Sequence, residues 1–161
     1  MDALSQYIVP YVFSNVIFML TIFLAWKRPM WARYFFALSF LSASGLNATM
    51  ALIDPKVYLT YGSIALLPFY QLFIDGFFSK HISEIVLPIA IGQFLIFMGL
   101  ILNKSWTRVA CIGGILFGLG IAPLGVGSAF PATVSMSVAF FILLLKQEHD
   151  FIWKTRQYKN K

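Results

Sequence analysis

Charge is scarce in this 161-residue chain: Asp, Glu, Lys and Arg make up 11% of it, against 60% hydrophobic residues. With a mean hydropathy of +0.81, that balance excludes an ordinary soluble domain. Cysteine is nearly absent. The lone Cys111 excludes an internal disulfide and any CxxC redox or zinc pattern, and within an apolar run it is expected to be a small buried packing residue. Motifs for nucleophilic chemistry are missing too: there is no GxSxG, no HExxH, no phosphate-binding glycine loop and no Cys–His pair. No internal repeat is evident, which weakens an inverted-repeat transporter. The first residues, Met1–Gln6, hold Asp2 and no basic residue, and no small-residue cleavage site follows. The first apolar run is therefore expected to stay in the mature protein.

What the chain does hold is long apolar runs. A helix needs about 20 predominantly apolar residues to cross a bilayer core. Five runs meet that need, at about 7–26, 33–53, 84–103, 106–123 and 128–145. Lys27, Arg28, Pro29 and Trp31 close the first, and Asp54-Pro55 ends the second. Lys104 and Arg108 separate the third from the fourth, and Pro123, Gly125, Gly127 and Pro131 form an uncharged turn before the last. A sixth segment, 57–78, is apolar but interrupted by Gly62, Pro68 and Gly76. Charge decides its placement. With five spans, ten of the twelve Lys and Arg residues fall on one side and only Lys56 and Lys80 on the other; the better six-span orientation leaves four outside. The positive-inside rule favours five. The expected fold is thus an all-α, polytopic transmembrane bundle of five spans (alternative six). Segment 57–78 would form a re-entrant or interfacial pair on the outer side, bent near Pro68. Residues 1–145 make one transmembrane domain and 146–161 a cytoplasmic basic tail, with the N-terminus outside, in a bacterial inner membrane. The net charge of +6 sits beside the apolar runs, where it fixes topology and meets lipid headgroups rather than nucleic acid.

Polar groups within such a chain need a partner or a purpose. Asn15 and Asn47 fall in the outer halves of the first two spans, and Gln93 falls near mid-membrane, where it is expected to bond Asn47 or Asn15. His81 and Glu84 are spaced i, i+3 and share a helix face. They read either as a proton-accepting pair or as a helix start in which Ser83 caps and Glu84 meets the positive end of the dipole. Asp75, His81 and Glu84 match no strong metal motif, and no metal is expected. Tyr58, Tyr61, Phe69, Tyr70, Phe73, Phe77 and Phe78 concentrate in the interrupted segment. With Pro68 they can wall an apolar pocket open to the outer leaflet. Gly114 and Gly118 lie in GxxxG register, suited to packing within the subunit or to a homodimer face.

The stretch from Glu84, E-IVLPIAIGQFLIFMGLIL-NKSW-TR-VA, has an acidic residue opening a glycine-containing helix and a turn ending in Thr107-Arg108. Upstream, Arg33 is followed by Phe36, Leu41, Ala43 and Gly45. Over about Arg33–Leu145 the chain resembles the DoxX-like small membrane proteins. The resemblance implies a four-helix core with an interrupted segment after its first helix, the run 7–26 being an addition. A lysine common soon after that family's small-residue cluster is absent here, where Asn47 and Met50 stand. The family includes oxidoreductase subunits and assembly factors, so the resemblance implies architecture more than activity.

The functional expectation is a non-enzymatic membrane accessory protein. Its outward-facing pocket would hold a lipid-like or quinone-like molecule, or a partner membrane helix, with no obligatory cofactor. Its site residues would be Asn47, Tyr58, Tyr61, Gln71, Asp75, His81, Glu84 and Gln93, and its partners membrane lipids, a second membrane protein or its own copy through Gly114 and Gly118. One alternative is a small proton-coupled transporter working as an oligomer. Another is an intramembrane enzyme using His81 and Glu84 in acid–base chemistry.

Overall fold

The computed structural model describes residues 3–146, and every described element is helical. Five long helices carry the chain: α1 (Ala3–Lys27), α2 (Pro29–Ile53), α4 (Ile82–Ile101), α5 (Lys104–Ile121) and α6 (Ala132–Leu145). Between α2 and α4 lie a 3-10 helix (Pro55–Ile64), the short α3 (Pro68–Phe73) and a π-helical turn (Ile74–Phe78). The basic tail beyond Lys146, with His149, lies outside the described residues, as does Asp2.

Proline sets the local boundaries. Pro29 opens α2, Pro55 opens the 3-10 helix and Pro68 opens α3, each at a position where the missing N–H costs nothing. Leu67, before Pro68, is extended (φ −109°, ψ 128°), and Ala65 likewise (φ −67°, ψ 139°). The interrupted segment therefore breaks just ahead of Pro68. The last helix starts later than its apolar run suggests. Pro131 caps it, and a 3-10 segment (Ala122–Ser128) with Gly125 at φ 67° precedes it. With 14 residues, α6 is about 21 Å long at 1.5 Å per residue, short of a bilayer core of about 30 Å.

The long helices form a closed ring in which α1 packs on α2, α2 on α4, α4 on α5, α5 on α6 and α6 back on α1. Phe36, Phe40 and Phe140 meet at its centre, with Phe36 and Phe140 stacked at 4.3 Å between centroids. Small residues bring α5 and α6 together. A Cβ at Gly114 would lie 2.6 Å from the Phe140 ring, and one at Gly118 would lie 2.3 Å from Ser137 Oγ. The face that could have served a homodimer is thus covered by α6 of the same chain.

The ring's outside is apolar. Phe13, Leu20, Phe23, Leu38, Leu52, Ile53, Leu95, Leu116 and Phe141 are all more than half exposed, a surface untenable in water but natural against lipid. Three helices, Pro29–Ile53, Ile82–Ile101 and Ser105–Gly125, are long and apolar enough to cross a membrane, while Tyr11–Lys27 and Ala132–Leu145 are apolar but shorter.

The two ends of the ring differ. One gathers the α1–α2 and α4–α5 connections, with Arg28 and Arg33, and the end of α6, where Lys146 Nζ reaches the Trp26 carbonyl and lies 4.9 Å from the centroid of its ring. There the fully buried Arg33 closes the bundle. Its Nε donates to the Leu100 carbonyl at 3.1 Å. Its Nη2 donates to the same oxygen at 2.6 Å, to the Leu102 carbonyl at 3.0 Å and to Thr107 Oγ1 at 3.0 Å. A guanidinium on the last carbonyls of α4 satisfies groups that the helix leaves unpaired and complements its dipole.

Candidate functional site

The opposite end holds a cavity of about 460 Å³ inside the ring, within the usual range for small-molecule sites. The interrupted segment lies over it and is tied to the other connection at that end and to the last turn of α5. Leu66 N donates to the Pro123 carbonyl at 3.0 Å, and Tyr70 OH to the Gly120 carbonyl at 2.7 Å. Gly125 is needed there, since a Cβ on it would come 2.7 Å from the Ile64 carbonyl oxygen. The interrupted segment supplies Tyr58, Tyr61, Tyr70, Phe73, Ile74 and Phe78 to the wall, while Phe40, Ala43, Ile85, Val86, Phe117 and Met136 come from the long helices.

One polar chain crosses this apolar lining. Tyr58 OH donates to Asn47 Oδ1 at 2.8 Å, and Asn47 Nδ2 donates to Gln93 Oε1 at 2.8 Å. Gln93 is 3% exposed, lines the cavity, and its Nε2 has no hydrogen-bond partner among the described residues. Below it, Ser44 Oγ donates to the Ala90 carbonyl at 2.8 Å and pins α2 to α4. Thr133, on the same wall, keeps a buried Oγ1 without a partner. Burial pushes the Tyr58 phenol above its ordinary value, and the neighbouring Tyr61 adds to the rise, so Tyr58 stays a donor through the physiological range.

Of the residues singled out in the sequence, Asn47, Tyr58, Tyr61 and Gln93 come together on the cavity wall. The other four lie elsewhere. Gln71 is exposed on α3, and the Asp75 carboxylate sits beside Gly62, where a Cβ would meet Oδ1 at 2.9 Å. His81 stacks on Phe77 at 4.4 Å, its Nδ1 lies 3.0 Å from the Phe77 carbonyl, and its Nε2 is 4.0 Å from a Glu84 carboxylate that is 76% exposed. None of these four lines the cavity. Ser83 does not cap α4: its hydroxyl donates to the Ala51 carbonyl at 2.6 Å, and His81 holds the cap position. Asn15 turns to the Tyr11 carbonyl of its own helix rather than to Gln93. Among the described residues no three His, Cys, Asp or Glu side chains are grouped to hold a metal ion.

Sequence reasoning missed Ser39, Phe40 and Ala43 as wall residues. The signal was present, because Ser39, Ala43 and Asn47 recur every fourth residue along one face of α2, as Ile85, Ile89 and Gln93 do on α4. A second hollow, of about 740 Å³, runs along α4 and α5 between Gly92, Leu95, Gly99, Trp106, Val109 and Gly113. It is apolar throughout apart from the Trp106 indole and has nothing to orient a ligand.

Comparison with family models, with curated proteins and with solved structures returns no match for this chain.

Proposed function

We propose that this is a small integral membrane accessory protein that holds a lipid-like or quinone-like molecule in the cavity between α2, α4, α5 and α6. The single observation behind this reading is the 460 Å³ apolar, aromatic-walled cavity crossed by the Tyr58–Asn47–Gln93 chain. Such a site suits an amphiphile, because most of its wall rewards apolar area while a few fixed polar groups orient one end. Five spans, an outside N-terminus and a cytoplasmic C-terminus belong to the same reading. Its support is the concentration of basic side chains at the Arg33 end and the apolar exterior. The DoxX-like architecture is part of the proposal, the interrupted segment between α2 and α4 being its counterpart here.

The test is mass spectrometry of small molecules retained by the full chain purified in mild detergent, beside an Ala43→Phe variant that fills the cavity. The expected result is one co-purifying amphiphile, depleted in the variant. Retention of the same molecules at equal levels by both would remove the cavity from the account.

A further inference from the structure

We propose that the cavity's ligand is an uncharged amphiphile whose carbonyl oxygen accepts a hydrogen bond from Gln93 Nε2. This rests on the amphiphile-binding reading above and adds the chemistry of the ligand's polar end. The polar chain has a direction. A phenol O–H donates to an amide oxygen, and that amide's N–H donates to the next amide oxygen, at 2.8 Å in each step. Both amide oxygens are thereby engaged, and what the chain presents at its far end is an N–H donor on a side chain 97% buried, the complement of its 3% exposure. Among the described residues Nε2 has no protein acceptor, and it is not sealed into the packing, so it is reached from the cavity. A ligand that fills the cavity must supply an acceptor there, since covering the donor without one costs free energy of the same order as a lost hydrogen bond.

Charge narrows the class further. Among the described residues, the cavity wall includes no Asp, Glu, Lys, Arg or His side chain. A phosphate or ammonium group seated against Gln93 would lose its hydration without a counter-charge, at a cost far above that of a neutral carbonyl. A carbonyl also fits better than a hydroxyl. It meets the Gln93 donor as a pure acceptor, whereas an alcohol's own O–H would have to reach Thr133 Oγ1, the unpartnered buried oxygen of this wall, or be left unpaired. Two sources offer this group: the ring ketone of a quinone and the ester of a neutral lipid. The aromatic wall, including Phe40, Tyr58, Phe78 and Phe117, accommodates either.

The experiment is native mass spectrometry of the full chain in maltoside micelles, titrated with four probes. These are a decyl-substituted benzoquinone, octyl octanoate, decylbenzene and dioctanoylphosphatidate. At least one of the two carbonyl probes should bind about 10-fold more tightly than decylbenzene, the scale of one buried hydrogen bond to a neutral acceptor; the tighter of the two names the source. Gln93→Met, which keeps volume and removes the donor, should erase that preference while leaving decylbenzene binding within about 2-fold. Equal affinity for decylbenzene and both carbonyl probes in the wild type would overturn the inference yet leave the amphiphile cavity standing, and this comparison needs no variant. Dioctanoylphosphatidate binding as tightly as the best carbonyl probe would overturn the claim of an uncharged ligand. If no probe binds the folded protein, the cavity reading falls with it.

Discussion

Arg33 ties one end of the bundle together. Fully buried, it joins α2 to the last turn of α4 and the first of α5 through carbonyls 67 and 69 residues downstream and the Thr107 hydroxyl. Its substitution takes both donors from the Leu100 carbonyl and the charged donor from Leu102, whose carbonyl is left with the Thr107 hydroxyl. Arg33→Met is expected to lower unfolding stability by about 3 kcal/mol, and Arg33→Lys by nearly as much, because an ammonium cannot reproduce the fork. Thr107→Val should cost about 1 kcal/mol. Thermal unfolding in detergent orders the three; a midpoint for Arg33→Met within a degree of wild type would remove the clamp. Tyr58 makes a pH prediction. Its folded value is raised, so the stability it contributes is complete below the unfolded tyrosine value of about 10 and is lost as pH climbs through the higher folded value. Between pH 7 and 9 Tyr58 should add no slope, and Tyr58→Phe should blunt the loss above pH 10. A wild-type decline from pH 7 to 9 that Tyr58→Phe abolishes would contradict this. In the sequence Arg33 counted toward the charge bias and opened the DoxX-like stretch, but its clamp was not legible, because its partners are mostly backbone carbonyls, which every residue supplies and no pattern marks. Asn47 and Gln93 were easier to pair, since two amides inside apolar runs have few alternatives to each other.

At the scale of the element, glycines separate into those that permit contact and those that do not. Gly118→Ala would set a methyl 2.3 Å from Ser137 Oγ and 2.8 Å from the Thr133 carbonyl, and Gly99→Ala one 2.8 Å from the Trp106 carbonyl. Each should destabilise by about 1–3 kcal/mol through overpacking. Gly45 and Gly92 have nothing within 4 Å of the new methyl, so alanine there should be neutral or stabilise by up to about 1 kcal/mol through helix propensity. Denaturant or thermal titration of the four variants checks the split, and equal effects across them would refute it. The interruption of segment 57–78 was legible because proline and glycine act locally. The division into 3-10, α and π pieces was not, since it answers to the docking of Leu66 on the 122–128 connection and of Tyr70 on the end of α5. The His81–Glu84 pairing followed from helical spacing, and the two do lie at 4.0 Å. Spacing alone could not say that their face points away from the cavity.

For the whole molecule the testable matter is orientation. In a Cys111→Ala background, Lys56→Cys and Arg28→Cys place single thiols at opposite ends of the bundle, both at exposed positions. In intact cells a membrane-impermeant maleimide should label the first and spare the second until the membrane is opened. The reverse pattern would invert the proposed topology.

The Arg33 clamp bears on where the bundle can open. It fastens α2, α4 and α5 at one end through its bonds to Leu100, Leu102 and Thr107, whereas the cavity sits at the other end beneath the interrupted segment, which Leu66 ties to Pro123 and Tyr70 to Gly120. A guest of the proposed site is therefore expected to come and go at the unclamped end.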